Sequence, residues 1–165
     1  MKTTISDVVA VNDHEFLVDE RDGKGLGDDS NAVFKRIYRI DLTGATDVSA
    51  ISGAAALTAR AVPKTLFLDV VQVLTNHLIA PASIPAKLEG IAFGQDVLRN
   101  GSLEHTFYIA NDNDFLATVK KGGATADNPN QIFVFAFDDF DLPGYEPQQF
   151  RPGRGNDDEP RDGDR

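Results

Sequence analysis

Two stretches of this chain share one cadence, and that repetition limits the available folds more than any other feature. In the first, ISDVVAV (Ile5–Val11) is followed by Asn12-Asp13-His14 and then EFLVDERD, which ends in acids. In the second, LEGIAFG (Leu88–Gly94) is followed by a polar loop. HTFYIANDNDF comes next and runs straight into Asn111, Asp112, Asn113 and Asp114. Short apolar runs bounded by Asn, Asp and Gly read as strands. A strand–turn–strand–acid unit that recurs points to a repeat architecture, with its acids at equivalent edges of successive units.

Each unit extends beyond its first two strands. In the first, Glu15–Glu20 is a strand around Phe16, Leu17 and Val18, and RDGKGLGDDSN is an exposed loop. Phe34–Leu42 alternates, with Phe34, Arg36, Tyr38 and Ile40 on one side and Lys35, Ile37, Arg39 and Asp41 on the other. Lys64–Val71 reads as a fourth strand. A helical turn is expected within Ala54–Arg60 and a short helix over Gln72–Ile79, before Pro81 and Pro85 break the chain. The second unit offers Leu88–Gly94, Thr106–Ala110 and Ile132–Asp138. The apolar pattern aligns Ser6-Asp7 with Glu89-Gly90 and Phe16-Leu17-Val18 with Phe107-Tyr108-Ile109. It also aligns Tyr38-Arg39-Ile40-Asp41 with Phe135-Ala136-Phe137-Asp138.

The expected class is therefore all-β, with antiparallel four-stranded blades of a β-propeller. About two blades are encoded, the second lacking its outer strand, whereas a closed ring takes roughly four or more. The chain thus reads as the C-terminal part of a larger propeller. Residues 1–147 form the domain, and 148–165, almost devoid of apolar residues, are expected to be a disordered acidic tail.

Charge and composition exclude several functions. Among 165 residues, 26 acids face 16 Lys and Arg, a net charge of -10 that argues against binding nucleic-acid phosphates. The absence of cysteine rules out disulfides and thiolate metal sites. No apolar run reaches the roughly 18 residues of a membrane span. His14, His77 and His105 lie in or near turns without metal-ligand spacing. No GxSxG elbow or phosphate-cradling Gly loop is present.

Taken in order, ISDVVAV…EFLVDERDG, AVFKRIYRIDLTGATDVS, IPAKLEGIAFGQD and FYIANDNDF resemble the esterase-like-activity-of-phytase family, the phytase-like propeller domain, in its C-terminal half. The resemblance runs from about Ile5 to Pro152. It implies a secreted or periplasmic β-propeller that hydrolyses phosphoesters or esters, with calcium as the suspected cofactor. The implied partner is a small phosphoester or ester. Open strand edges add the expectation of self-association.

The candidate residues follow from placement and chemistry. Glu89 lies second in a strand expected to be innermost, beside Gly90, where a carboxylate can bind Ca²⁺ or act as a general base. The plainer alternative is a solvated acid at a strand start. Asn111, Asp112, Asn113 and Asp114 offer hard oxygen ligands without EF-hand spacing; an Asx-rich turn bonding its own backbone is the alternative. Asp19, Glu20 and Asp22 are the matching acids of the first unit, and Arg21 among them can pair with Glu20 or grip a phosphate. Candidate catalytic residues are thus Glu89, Glu20 and Arg21. Candidate metal ligands are Glu89, Asn111, Asp112, Asn113 and Asp114. Lys35, Arg36 and Arg39 are expected on a solvated face.

Overall fold

A computed structural model describes residues 2–148 and shows a chain built almost wholly of antiparallel strands. The first sheet has the order β1 (Thr4–Ala10), β2 (Glu15–Arg21), β3 (Lys35–Asp41) and β4 (Lys64–Asp69). The second is built on β5 (Leu88–Phe93), β7 (Ser102–Asn111) and β10 (Ile132–Phe137), in the order β10-β7-β5. A short β6 (Val97–Arg99) also pairs with β7. A separate hairpin, β8 (Thr118–Lys121) with β9 (Ala124–Asp127), interrupts the second unit before β10. The all-β class and the four-stranded antiparallel sheets expected from the sequence are both present. Three strands were not foreseen: β6, β8 and β9 are three or four residues long, too short to show period-2 patterning.

Helices stay short. α1 spans Ala54–Thr58 and buries nothing, whereas α2 spans Val70–Asn76 and buries Val70 and Leu74. The expected fourth strand stops at Asp69 because that residue caps α2, its carboxylate accepting from the Gln72 N–H at 3.1 Å. Helix therefore begins two residues before the expected start at Gln72. The tail assigned to 148–165 lies outside the described residues from 149 onward.

The repeat is visible in the strand register. β1 bulges between Ile5 and Asp7, and β5 bulges between Leu88 and Gly90, so Ser6 and Glu89 hold equivalent extra positions. Ala10 opposes Phe16 as Phe93 opposes Phe107, and Val8 opposes Val18 as Ile91 opposes Ile109. Both of those sequence alignments hold residue for residue. The third slips: Phe16 faces Ile40 and Phe107 faces Phe135, so Tyr38-Arg39-Ile40-Asp41 corresponds to Phe133-Val134-Phe135-Ala136. A two-residue slip preserves strand parity, so the apolar pattern could not detect it.

The two sheets stack through opposite faces. Leu17 and Ile37 of the first sheet are fully buried and share one apolar core with Leu88, Ile91, Phe107 and Ile109 of the second. By register, Phe107 and Ile109 correspond to Phe16 and Val18, which lie on the other face of β2. Phe67, Phe93, Phe107, Phe137 and Tyr145 extend the core as an aromatic cluster, with ring centroids between 4.4 Å and 5.9 Å apart.

Backbone bonds close the joint between sheets. Leu26 N–H donates to the Ile84 carbonyl at 2.8 Å, and Ala86 N–H donates to the Leu26 carbonyl at 2.8 Å. Gly25 makes this approach possible: its φ is 129°, and a Cβ there would lie 2.2 Å from the Ile84 carbonyl oxygen. Where β1 meets β5, the Asp7 carboxylate accepts from the Ile91 N–H at 2.9 Å.

Candidate functional site

Strand alternation assembles the charged centre. On β2, Leu17, Asp19 and Arg21 point toward the second sheet, while Phe16, Val18 and Glu20 point away. Across on β3, Ile37 lies opposite Asp19 and Lys35 lies opposite Arg21. This brings Arg21 and Lys35 side by side in an interior that also receives Asp7, Asp22 and Glu89.

Lys35 is fully buried, which corrects the expectation of a solvated face for Lys35, Arg36 and Arg39. Its ammonium donates to the Asp22 carboxylate at 3.0 Å, the Asp22 carbonyl at 3.2 Å and the Ala86 carbonyl at 2.9 Å. All three of its donors are used, so it bolts the first sheet to the segment leading into the second. Burial pulls its pKa below the usual lysine range, against the opposing pull of Asp22. Arg36 pairs with Asp69 at 2.9 Å, and the Arg39 Nε donates to Glu15 at 2.9 Å. A single strand's pattern cannot show these partners, because each comes from another element.

Arg21 pairs with Glu89 across the joint, not with Glu20. The bulge at Glu89 turns that carboxylate toward the guanidinium. Glu20, on the opposite face, pairs with Lys64 instead, so the sequence's candidate trio is split. The structure joins Glu89 with Arg21 and leaves Glu20 on another surface.

Behind this pair lies Asp19, 1% exposed, a residue read from sequence only as one of a loop-edge cluster. Burial raises its pKa to about 7; Arg21 and Lys35 oppose the rise, and Asp7 and Glu89 add to it. Its Oδ2 has no hydrogen-bond partner, and neither has the neighbouring Arg21 Nε. The period-2 pattern of EFLVDER, with Asp19 in step with Leu17, was the available signal.

The acids after β7 form a tight turn. Asp112 Oδ1 accepts from the Asp114 N–H at 2.8 Å, and Asn113 Oδ1 accepts from the Phe115 N–H at 3.1 Å. Asn111 Oδ1 accepts from the Gln131 N–H at 2.6 Å, fastening the turn to the strand entry at β10. Asp114 and Phe115 take φ of 54° and 57°, strained for non-glycine residues and held by these bonds. Asp114 also pairs with Lys87, and that bond raises the lysine's pKa.

This turn and the Arg21–Glu89 pair are neighbours. A cleft of about 180 Å³ between the loop after β2 and the turn after β7 is lined by Arg21, Asp28, Lys87, Asp112, Asn113 and Asp114, among others, with Glu89 joined to it through Arg21. Its donor set is all oxygen on the acidic side, as a hard cation requires. Among the bonds given above, Asp112 and Asp114 each use one carboxylate oxygen, leaving the second for a ligand. Asn111 and Asn113 already spend their oxygens on backbone N–H groups. The carboxylates fit a calcium ion better than the amides do.

A second group, His14, Glu15 and Asp41, has ligand atoms within 4.8 Å of one another. Positive charge is already supplied there, since Glu15 takes the Arg39 guanidinium. Among the described residues no helix is long and apolar enough to cross a membrane.

Comparison with known protein families gives a match. A family model described as Phytase-like, esterase-like activity of phytase, covers residues 1–115. No curated protein and no solved structure matches the chain.

Proposed function

The chain belongs to the phytase-like family, esterase-like activity of phytase, and from that membership we propose that the cleft between the loop after β2 and the turn after β7 binds and hydrolyses a small phosphoester or ester. The observation that carries this reading is the Arg21–Glu89 pair, contributed by two sheets and adjoining a cleft that also holds Lys87, Asp112 and Asp114. Lys87 is the group for an anionic substrate oxygen, as a point charge, and Arg21 is the partner that holds Glu89 in place. Glu89 is the general base for an attacking water. Asp112 and Asp114 are the residues that would hold Ca²⁺, whose chemistry there is to neutralise substrate charge and lower the pKa of water. Lys87 competes with that ion for Asp114, so calcium and a free Lys87 ammonium go together.

The reading also includes a β-propeller of which these sheets are two wedges, a secreted or periplasmic site of action, and self-association through open strand edges. In support of the last, Ile5, Val8 and Leu66 are 67%, 55% and 53% exposed in the first sheet, and Ile132 and Val134 are 67% and 58% exposed on β10. Light scattering tests it: a clean monomer at working concentration removes that part.

The direct test is hydrolysis of a chromogenic phosphoester and a chromogenic ester, with and without calcium, by wild type and Glu89→Gln. The expected result is calcium-stimulated turnover that Glu89→Gln abolishes while leaving the chain folded. No turnover of either substrate, with no thermal shift on calcium titration, removes the hydrolase reading.

A second reading has its own support. Asn111 and Asn113 are engaged in turn bonds, which suits a non-catalytic module whose acids hold calcium to stiffen a loop. Stability lost in Glu89→Gln, without any turnover to lose, favours it.

A further inference from the structure

Arg21 is the one cation in contact with Glu89 among the described residues, and it has an unused donor. Its terminal nitrogens go to Glu89 and, at 3.3 Å, to the Asp22 carbonyl. Its Nε is buried without a partner. Two residues earlier, on the same face of β2, Asp19 carries a buried oxygen without a partner. A buried unmatched donor beside a buried unmatched acceptor is costly, and each atom is what the other lacks.

We propose that Asp19 and Glu89 share Arg21 in alternation, so that ionised Asp19 draws the guanidinium inward and leaves Glu89 as a free carboxylate. Asp19 is a positioning residue here, acting on Glu89 only through Arg21.

The charges that face Asp19 come from every strand around it. Asp7 lies directly opposite on β1, Arg21 on β2 itself, Lys35 on β3 and Glu89 on β5. The nearby carboxylates of Asp7 and Glu89 disfavour a charge on Asp19, and an un-ionised Asp19 leaves Arg21 to Glu89. Removing the Asp19 proton adds a second claimant for one cation. Lys35 cannot answer it, because its three donors are already committed to Asp22 and Ala86. The midpoint of about 7 places the exchange within the ordinary working range of a protein. Asp19→Asn preserves shape and removes the titration.

Any control of turnover by this exchange rests on the hydrolase reading; the exchange itself does not. It is tested by NMR of the intact chain, following the Arg21 Nε–Hε signal and the Glu89 carboxyl carbon from about pH 5.5 to about 8.5. Signals are assigned by their loss in Arg21→Lys and Glu89→Gln. Both are expected to move together with one midpoint near 7, and both are expected to be flat in Asp19→Asn. In Glu89→Gln the Arg21 signal should still titrate, with a lower midpoint, because a charge that opposes Asp19 ionisation is gone. Flat Arg21 and Glu89 signals in wild type overturn the proposal, as does a titration that survives in Asp19→Asn. Where hydrolysis is also found, its rate should rise about tenfold per pH unit below the same midpoint and lose that dependence in Asp19→Asn. A moving Arg21 signal without hydrolysis would sink the hydrolase reading and leave the exchange standing.

Discussion

The two sheets have the same backbone plan and spend their charges differently. The first strand of each sheet bulges at the same place, at Ser6 and at Glu89, and both second strands keep the same register. At equivalent positions, however, the first sheet has Asp7, Asp19 and Arg21 where the second has Gly90, Ala110 and Asp112. The first sheet buries its charges in the joint, where they must find partners or lose solvation. The second keeps small residues within its strands and places its acids in the turn beyond β7. Backbone repetition therefore preserves register, while the side chains at one joint have become specialised.

The comparison is broken most severely at Lys35. Lys35→Met leaves Asp22 as an uncompensated charge at 2% side-chain exposure. A loss of about 3–5 kcal/mol is expected in urea unfolding, as for half of a buried ion pair. A loss below about 1 kcal/mol would mean that the joint does not depend on that bolt.

Asp19 sharpens the comparison through pH. Its folded pKa is raised from 3.8 to about 7, so the folded state binds the extra proton between those values. Stability must then fall as pH rises through that window and level off above it, by about 2–4 kcal/mol at roughly 1.4 kcal/mol per unit. Asp19→Asn is expected to flatten this slope. His105 acts in the same direction and serves as background. Burial lowers its pKa, but bonds to Asp96 at 2.8 Å and Asp139 at 3.2 Å outweigh that and raise it overall. Its contribution is complete below the unfolded value of 6.5 and fades as pH passes the folded one. The slope difference between wild type and Asp19→Asn cancels it, and equal slopes would refute the Asp19 assignment.

Glycines give a smaller contrast. Gly25→Ala drives a Cβ into the Ile84 carbonyl at the joint and is expected to cost about 3 kcal/mol. Gly123 sits at the β8–β9 turn with φ of 78° and open space around it. Gly123→Ala should therefore cost only about 1 kcal/mol. Thermal melts of the two variants compare a crowded joint with an open turn.

The smallest effect belongs to the acids of the second sheet. Asp114→Ala removes a half-exposed pair with Lys87, and less than about 1 kcal/mol should be lost without calcium. With calcium present, the thermal shift on titration should shrink or vanish. An undiminished shift would place any ion elsewhere.

Much of this arrangement is legible in the chain itself. The strands around Phe16-Leu17-Val18 and Phe107-Tyr108-Ile109, their equivalence and the turn at Asn111–Asp114 follow from local patterns of apolar, polar and turn-forming residues. The short β6, β8 and β9 are absent from any such reading because they span too few residues. The candidate site was half readable: Glu89 and Arg21 were singled out, but Glu20 was grouped with them by adjacency in sequence. Adjacent strand residues face opposite ways, and Glu20 ends beside Lys64.

What the sequence determined alone was set within a few residues: the longer strands, the register of the first two strands in each unit and the supply of acids at strand ends. What the tertiary structure decided was which charges meet. Lys35 reads as one more solvated cation until Asp22 and Ala86 surround it, and Asp19 reads as one acid among several until it is sealed between strands. The physical reason is that a charge's state depends on its desolvation and on partners within a few ångströms. Those partners lie 13 and 51 residues away along the chain for Lys35, and 68 residues away for Arg21.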